Sequence, residues 1–526
     1  MSLRLPEHLD LIATAPAGIQ KLRGLILELA VRGKLVPQDP SDEPASELLK
    51  RIAKERAWLE ANGACKKSKP MPPVSEDEQP FALPIGWEWC RFPDVAHYKM
   101  GKTPPTKEAA YWADSGIPWV SISDMSPGQT IATTARTVSS VAREKVFRSA
   151  AVPAGTLLMS FKLTVGKVAT LGIDAFHNEA IISIFPFEGV SKEFLSHFLP
   201  MIAQGGNSKS ALMGDTLNSE SLALLSIPLP PLAEQHRIVA KVDELMALCD
   251  RLEAEQMDAG AAHARLVATL LGTLTQSTDA ADLAANWQRL ADHFDTLFTT
   301  ESSLDALKQT ILQLALNGVM TNEDVFEKRK LQDLIVNASY GTSQKSEPIR
   351  PIGAYPVLRI PNVVRENLDL SDLKFAVIAN KELEKLRLAD GEILIVRTNG
   401  SADLVGRCAV VTGLVEETVF ASYLIRLRFD PELITPSFAQ LVLQNHRLQN
   451  SMVDFARTTA GQYNVSIGRL NALEMPLPSI EQQHRIVAKV DELIALCDRL
   501  KADLAESRTR QERLAATLIE SALQAA

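Results

Sequence analysis

The sequence predicts an α+β protein written twice: two globular blocks separated by two long helices, the helices packed as an antiparallel coiled coil in a pseudo-two-fold repeat. Three observations carry this. The segment AEQHRIVAKVDELMALCDRL (233–252) returns as EQQHRIVAKVDELIALCDRL (481–500), identical at 17 of 20 positions. Apolar residues in each copy step by four and three: Ile238, Val242, Leu245, Cys249, Leu252, then Ile486, Val490, Leu493, Cys497, Leu500. Such a stripe argues for a helix that buries one seam. Each copy also follows a domain-sized block of about 150 residues, rich in short β-like runs and glycine turns.

Taken in order, residues 1–80 form a helical region and linker, in which LILELAVRGKL (25–35) resembles TILQLALNGVM (310–320). CKKSKPMPPVSEDEQP (65–80) is rich in proline and charge, as linkers are. The first block, 81–230, opens on Gly101-Lys102-Thr103-Pro104 and passes through IPWVSISDM (117–125) and AGTLLMSFKLTVGKVA (154–169). A central helical spacer, 231–328, begins after Pro230-Pro231, and its heptad register is expected to resume at Leu266 and Leu270. The second block, 329–478, repeats the order with Gly341-Thr342-Ser343, YPVLRIPNV (355–363) and DGEILIVRTNGSADLVGRCA (390–409). The helical patches SKEFLSHFLPMIA and TPSFAQLVLQNHRL also stand in matching order. Residues 479–526 close the chain as a second helical spacer, with Leu514 and Leu518 expected on its seam.

The 526 residues are 46% hydrophobic and 23% charged, ordinary for folded domains with cores of their own. Five scattered cysteines without a C-x-x-C, no apolar run of membrane-spanning length and no leader-like N-terminus point to a reducing cytoplasm and no membrane. The net charge of −9 is uneven. Block 84–230 balances twelve basic against twelve acidic residues, and block 329–478 holds 17 against 16, so the acidity lies outside the blocks. A basic face on either block is compatible with that balance.

No catalytic machinery is visible. Gly101-Lys102-Thr103 imitates the end of a phosphate-binding loop, but Ala96 stands where the first glycine belongs and Pro104-Pro105 removes donors where the helix should open. There is no G-x-S-x-G, H-E-x-x-H, G-x-G-x-x-G, paired Cys/His metal spacing or Asn/Asp-Pro-Pro-aromatic motif. Pro93-Asp94 and Glu108 lack the Glu-x-Lys of a nuclease. His236 and His484 read as polar contacts at helix starts, Cys249 and Cys497 as packed seam thiols. What remains are loops carrying groups that read nucleic acid. In the second block they are Thr342, Ser343, Gln344, Lys345, Arg350, Arg359, Arg397, Thr398, Asn399, Ser401, Arg407, Gln462, Tyr463 and Asn464. In the first they are Lys102, Thr103, Lys107, Ser160, Lys162 and Lys167. Arginine can hold guanine bidentately, Asn and Gln adenine, while Ser, Thr and Lys suit phosphates. Each could equally be a solvated turn residue; the set carries more weight than its members.

The duplicated PLP…EQ-x-RIV-x-K-V-D-E-L segment, the GWEW…G-K-T-P…YW…IPW opening and the YG-T-S…PVLRI…N opening resemble the specificity subunit of type I restriction–modification enzymes over nearly the whole chain. The resemblance implies two target-recognition domains, each reading one half of a bipartite double-stranded DNA site. It implies helices that set the gap and dock two methyltransferase subunits, with no catalysis in this chain. S-adenosylmethionine would belong to those methyltransferase partners, and ATP and Mg to the motor-nuclease restriction subunits. The extension before the first block and the stretch 275–294 depart from the repeat. Two other readings stand beside it: a non-enzymatic coiled-coil adaptor whose blocks bind protein, and a stand-alone methyltransferase.

Overall fold

The computed structural model describes residues 11–63, 65, 71–205, 217–277, 280–318, 326–364, 367–445, 448–450, 452 and 463–525. The chain divides into two compact units, Met1–Gln256 with Thr509–Ala526, and Met257–Arg508. Both are mixed α+β.

In the first unit, helices α1 (Gly18–Val31) and α2 (Ala45–Ala61) precede strand β1 (Glu88–Arg91). Nine strands follow: β2 (Ala96–Met100), β3 (Trp112–Ala113), β4 (Ile117–Val120), β5 (Thr130–Ile131), β6 (Arg136–Val138), β7 (Leu157–Ser160), β8 (Val168–Leu171), β9 (Phe176–His177) and β10 (Ile181–Pro186). Helix α3 (Lys192–Gly205), strand β11 (Ser226–Leu229) and the 44-residue helix α4 (Leu232–Thr275) complete the run. The main sheet has the order β2-β10-β7-β8-β5, a smaller one β3-β6-β4-β9, and β1 pairs with β11 in a two-stranded sheet.

The second unit carries α5 (Ala280–Ala291), α6 (Glu301–Leu316), β12 (Lys328–Lys330), β13 (Ile335–Tyr340), β14 (Ala354–Leu358), β15 (Val363–Val364), β16 (Asn367–Leu368) and β17 (Lys374–Val377). Then come α7 (Asn380–Leu386), β18 (Ile393–Val396), β19 (Thr398–Asn399), β20 (Cys408–Val410), β21 (Val419–Phe420), β22 (Leu424–Phe429) and α8 (Pro436–Leu443). Strands β23 (Tyr463–Asn464) and β24 (Glu474–Pro476) lead into the 46-residue helix α9 (Ile480–Ala525). The sheets β13-β22-β18-β20 and β17-β14-β21, and the pair β12-β24, repeat the plan of the first unit. In each small sheet one pairing is parallel, β4 with β9 and β14 with β21.

The repeated sequence follows from what its side chains hold. Gln235 is fully buried: its Oε1 accepts the N–H of Ser191 (2.8 Å), the residue before α3, and its Nε2 donates to the Pro230 carbonyl (3.0 Å). Gln483 does the same for the N-cap of α8, accepting the N–H of Thr435 (2.8 Å) and donating to the carbonyls of Pro478 and Leu433 (2.9 Å each). Each long helix is thus fastened at its first turn to the helix of its own block. His236 and His484, by contrast, are exposed.

The apolar stripes are buried where the heptads are regular. Ile238, Val242 and Cys249 share a core with Ile19, Leu22 and Ile26 of α1 and with Ala515. Ile486, Val490 and Cys497 share another with Leu307, Ile311 and Leu314 of α6 and with Val267, Leu271 and Leu274. Residues 25–31 and 310–316 of the look-alike segments are therefore helical and packed against the long helices, and ion pairs line the contacts: Arg23 with Asp250 (2.6 Å), Lys501 with Asp305 (3.0 Å). Beyond mid-helix the expected register holds in part: Leu270 and Leu518 pack, partly buried, against the two cores. Leu266 and Leu514 are exposed, and the buried positions are Val267 and Ala515, one residue on. An α-helix drifts by about 20° per heptad against a 3.5-residue repeat, so the stripe leaves the seam where contact lapses.

The described part of the proline-rich stretch is clamped to the first block. The buried guanidinium of Arg91 donates to the carbonyls of Pro72 (3.0 Å) and Pro73 (3.1 Å) and to Glu78 (2.7 Å), while Phe81 packs on Trp89. The Arg91 hydrogen bond and the Ser75 N–H hold the Glu78 carboxyl at about 2, below its ordinary value near 4.5. A depressed carboxylate pKa gives stabilisation that is complete above about pH 4.5 and lost as pH falls through 2. Amide protection factors in residues 71–80, taken against the unstructured exchange rate at each pH, should therefore fall on acidification from pH 5 to 2, and Glu78→Gln should flatten that dependence.

Candidate nucleic-acid interface

The two block openings do the same structural work. Gly101 N–H donates to the Ile181 carbonyl (3.1 Å) and Lys102 N–H to that of His177 (2.9 Å); Thr342 N–H donates to the Phe420 carbonyl (2.8 Å). A Cβ on Gly101 would lie 2.1 Å from the His177 carbonyl oxygen, and one on Gly341 2.1 Å from that of Phe420. These glycines let the strand leaving the main sheet cross β9 and β21 of the small one. The pseudo-phosphate-loop Gly101-Lys102-Thr103 is a backbone crossing. Burial lowers the pKa of His177, beneath that crossing, to about 4, so its imidazole is neutral at pH 7.

In the first unit, Trp119 Nε1 donates to the Lys102 carbonyl (3.0 Å) and Trp112 Nε1 to that of Pro105 (3.2 Å), so the stretch carrying Lys102, Thr103 and Lys107 lies along the small sheet. The Lys102 ammonium donates to the Val146 carbonyl (2.9 Å), Lys167 to that of Ile122 (3.2 Å), and Lys162 rests 5.3 Å from the Phe161 ring. Lys107 is exposed. Thr103 Oγ1 is buried without a partner among the described residues, and Ser160 is fully buried, its hydroxyl accepting the Lys167 N–H (3.1 Å) and donating to the Thr164 carbonyl. Ser160 braces the loop from inside.

In the second unit residues far apart in sequence converge. Strands β19 and β23 set Thr398 opposite Asn464 and Asn399 opposite Tyr463. Arg397 stacks 4.3 Å from the Tyr340 ring centre and donates twice to Asn464 Oδ1 (3.0 and 3.2 Å). The Tyr340 hydroxyl in turn accepts the N–H of Ile467 (3.1 Å). Ser401 N–H is held by Asn399 Oδ1 (2.9 Å), and Arg407 lies half-buried at the end of the same loop. Ser343, Gln344 and Lys345 are exposed beside Thr342, which is buried and donates to Glu382 (3.2 Å). Arg350 is forked onto Glu416 (2.6 and 3.1 Å) and Arg359 onto Asp372 (2.9 Å), so both brace their loops. Gln462 lies outside the described residues.

Beside the sequence-based candidates stand two stacked arginine–aromatic arrangements that the sequence did not single out. Arg136 lies 3.4 Å from the Trp112 ring centre and 5.9 Å from that of Trp119, and Trp112 meets Trp119 edge-on at 5.1 Å. Both tryptophans stand in the YW…IPW opening, a signal for the platform though not for the arginine on it. Tyr340, which carries Arg397, forms the second arrangement. No helix among the described residues is long and apolar enough to cross a membrane.

Comparison with known proteins places this geometry. The family model described as "Type I restriction modification DNA specificity domain" matches residues 84–259 and 323–507, once over each block. The EcoAI type I restriction enzyme specificity subunit of Escherichia coli is 33% identical, across 96% of this chain and 94% of its own. The EcoEI specificity subunit, also of Escherichia coli, is 31% identical over the same shares. A chain solved in a study of complex assembly and conformational transition of the type I R-M system shares the fold at a TM-score of 0.51 and 18% identity, covering 84% of this chain and 99% of its own. With both blocks matched by one family and nearly the whole length matched by two of its specificity subunits, the chain belongs to the type I restriction–modification DNA specificity family.

Proposed function

We propose that blocks 81–230 and 329–478 each read one half of a bipartite double-stranded DNA site, and that the long helices set the gap and dock two methyltransferase subunits. The chain itself is a non-catalytic reader acting in the cytoplasm. S-adenosylmethionine resides in the methyltransferase partners, and ATP and Mg in the restriction motor subunits. The observation that most supports this reading is the repeated strand plan with side chains of equivalent role: Gly101 and Gly341 at the crossing, Gln235 and Gln483 at the helix anchor. Two copies of one reader on one chain suit a site of two unlike halves. The near-neutral blocks leave Lys107, Lys345, Gln344 and Ser343 exposed for phosphate and base edges, and such contacts make binding steeply salt-dependent. An adaptor would need no such loops, and the family match disfavours it.

Selection from random duplexes by the chain assembled with methyltransferase subunits tests the proposal. Enrichment of two short motifs at one fixed separation is expected, weakening as salt rises. Enrichment of a single uninterrupted motif, or of none, would count against it.

A further inference from the structure

We propose that Arg136 is the guanine-reading residue of the first block, an inference that rests on the DNA-recognition reading above. Its backbone lies in β6 directly opposite Trp119, between β3 and β4, so the sheet fixes where the side chain emerges. The guanidinium carbon lies 3.4 Å from the centre of the Trp112 ring, as close as a stacked pair approaches. Trp112 is itself immobilised, by its hydrogen bond to the Pro105 carbonyl and by the edge of the buried Trp119. An arginine held this way has surrendered much of its rotamer freedom before a ligand arrives, while its N–H donors lie in the plane of the fork.

Those donors are unspent. Arg136 is exposed, and among the described residues its guanidinium makes no hydrogen bond or ion pair. The second block shows the opposite state. Arg350 is committed to Glu416, Arg359 to Asp372, Arg387 to Glu417 and Arg428 to Glu392, and stacked Arg397 gives two of its N–H groups to Asn464. A planar, stacked fork with free donors matches the O6 and N7 acceptors that guanine presents in the major groove. Its surroundings fit a base contact: Lys102 and Lys107 sit on the stretch pinned beneath the same two indoles, where lysines suit the flanking phosphates.

The test compares the unaltered chain with Arg136→Ala and Arg136→Lys, each co-expressed with the methyltransferase subunit in a methylation-free host, by mapping N6-methyladenine. The unaltered chain should yield a motif containing guanine. In Arg136→Ala that one position should become degenerate, its discrimination falling roughly 5- to 150-fold, with the other positions of both halves unchanged. Arg136→Lys should lose the same position, since an ammonium keeps the charge but not the fork, and it serves if the alanine variant fails to fold. A uniform fall at all sites with the motif intact would make Arg136 a phosphate contact and overturn the assignment. So would an unchanged motif, or one without guanine. If the unaltered chain with the methyltransferase subunit directs methylation to no two-part motif, the reading beneath the inference fails instead.

Discussion

Gly101→Ala and Gly341→Ala are each expected to destabilise their unit by about 3 kcal/mol or more, the upper end of overpacking costs. The added methyl carbon would stand 2.1 Å from a backbone oxygen, His177 in one unit and Phe420 in the other, with a second carbonyl oxygen at 2.3 Å (Asn178) or 2.5 Å (Ala421). Flexible side chains could yield, but the nearest oxygens, of His177 and Phe420, belong to the paired strands β9 and β21. Relief requires pulling the opening segment away from β9 or β21, which breaks the bonds from Lys102 N–H to the His177 carbonyl and from Thr342 N–H to that of Phe420. Urea unfolding followed by hydrogen exchange should show the loss in the substituted unit. A change below about 1 kcal/mol would mean the crossing has room for a side chain.

Gln235→Leu and Gln483→Leu carry the second large effect, on the order of 2–4 kcal/mol each. Leucine fills the volume but leaves the N–H of Ser191 or Thr435 and the carbonyl of Pro230 or Pro478 without the glutamine partner that now serves them. Each buried group left unsatisfied costs about 1–3 kcal/mol, discounted because relaxation or water recovers part. Thermal unfolding measures the loss. Gln→Glu is a useful companion: its oxygens keep the accepted bond but cannot donate to the proline carbonyl. Equal losses in the two copies would show the anchors to be equivalent.

The repeat was legible because its residues are shared for a local reason: the same glutamine must reach the same N-cap wherever a block meets its helix. The pairing of IPWVSISDM with YPVLRIPNV was legible for a similar reason. Both are strands of a small sheet ending in a turn, where Asp124 Oδ2 accepts the Ser121 N–H and Asn362 Oδ1 that of Arg359, each at 2.8 Å. The seam was readable to Leu252 and Leu500. Past mid-helix it was readable only in part, at Leu270 and Leu518, because periodicity cannot reveal where a partner helix stops, and residues 253–260 and 505–514 are exposed.

The candidate interface was legible as a set of loops rather than as residues. Composition marks a polar loop but not which hydroxyls turn inward, so Ser160 and Thr342, both buried, looked the same as exposed Ser343. The joining of Arg397 to Tyr340 and Asn464 needs contacts across more than fifty positions. Arg136 escaped notice because its partner Trp112 lies on another strand and no local pattern surrounds it.

The central claim is that two blocks on one chain read two unlike half-sites across a fixed gap. Its most direct test is the N6-methyladenine map of a methylation-free host expressing this chain with its methyltransferase subunit. The account predicts one two-part motif with an invariant unspecified gap, absent when the chain is omitted. Methylation at a single continuous motif, or at the same sites without the chain, would contradict it.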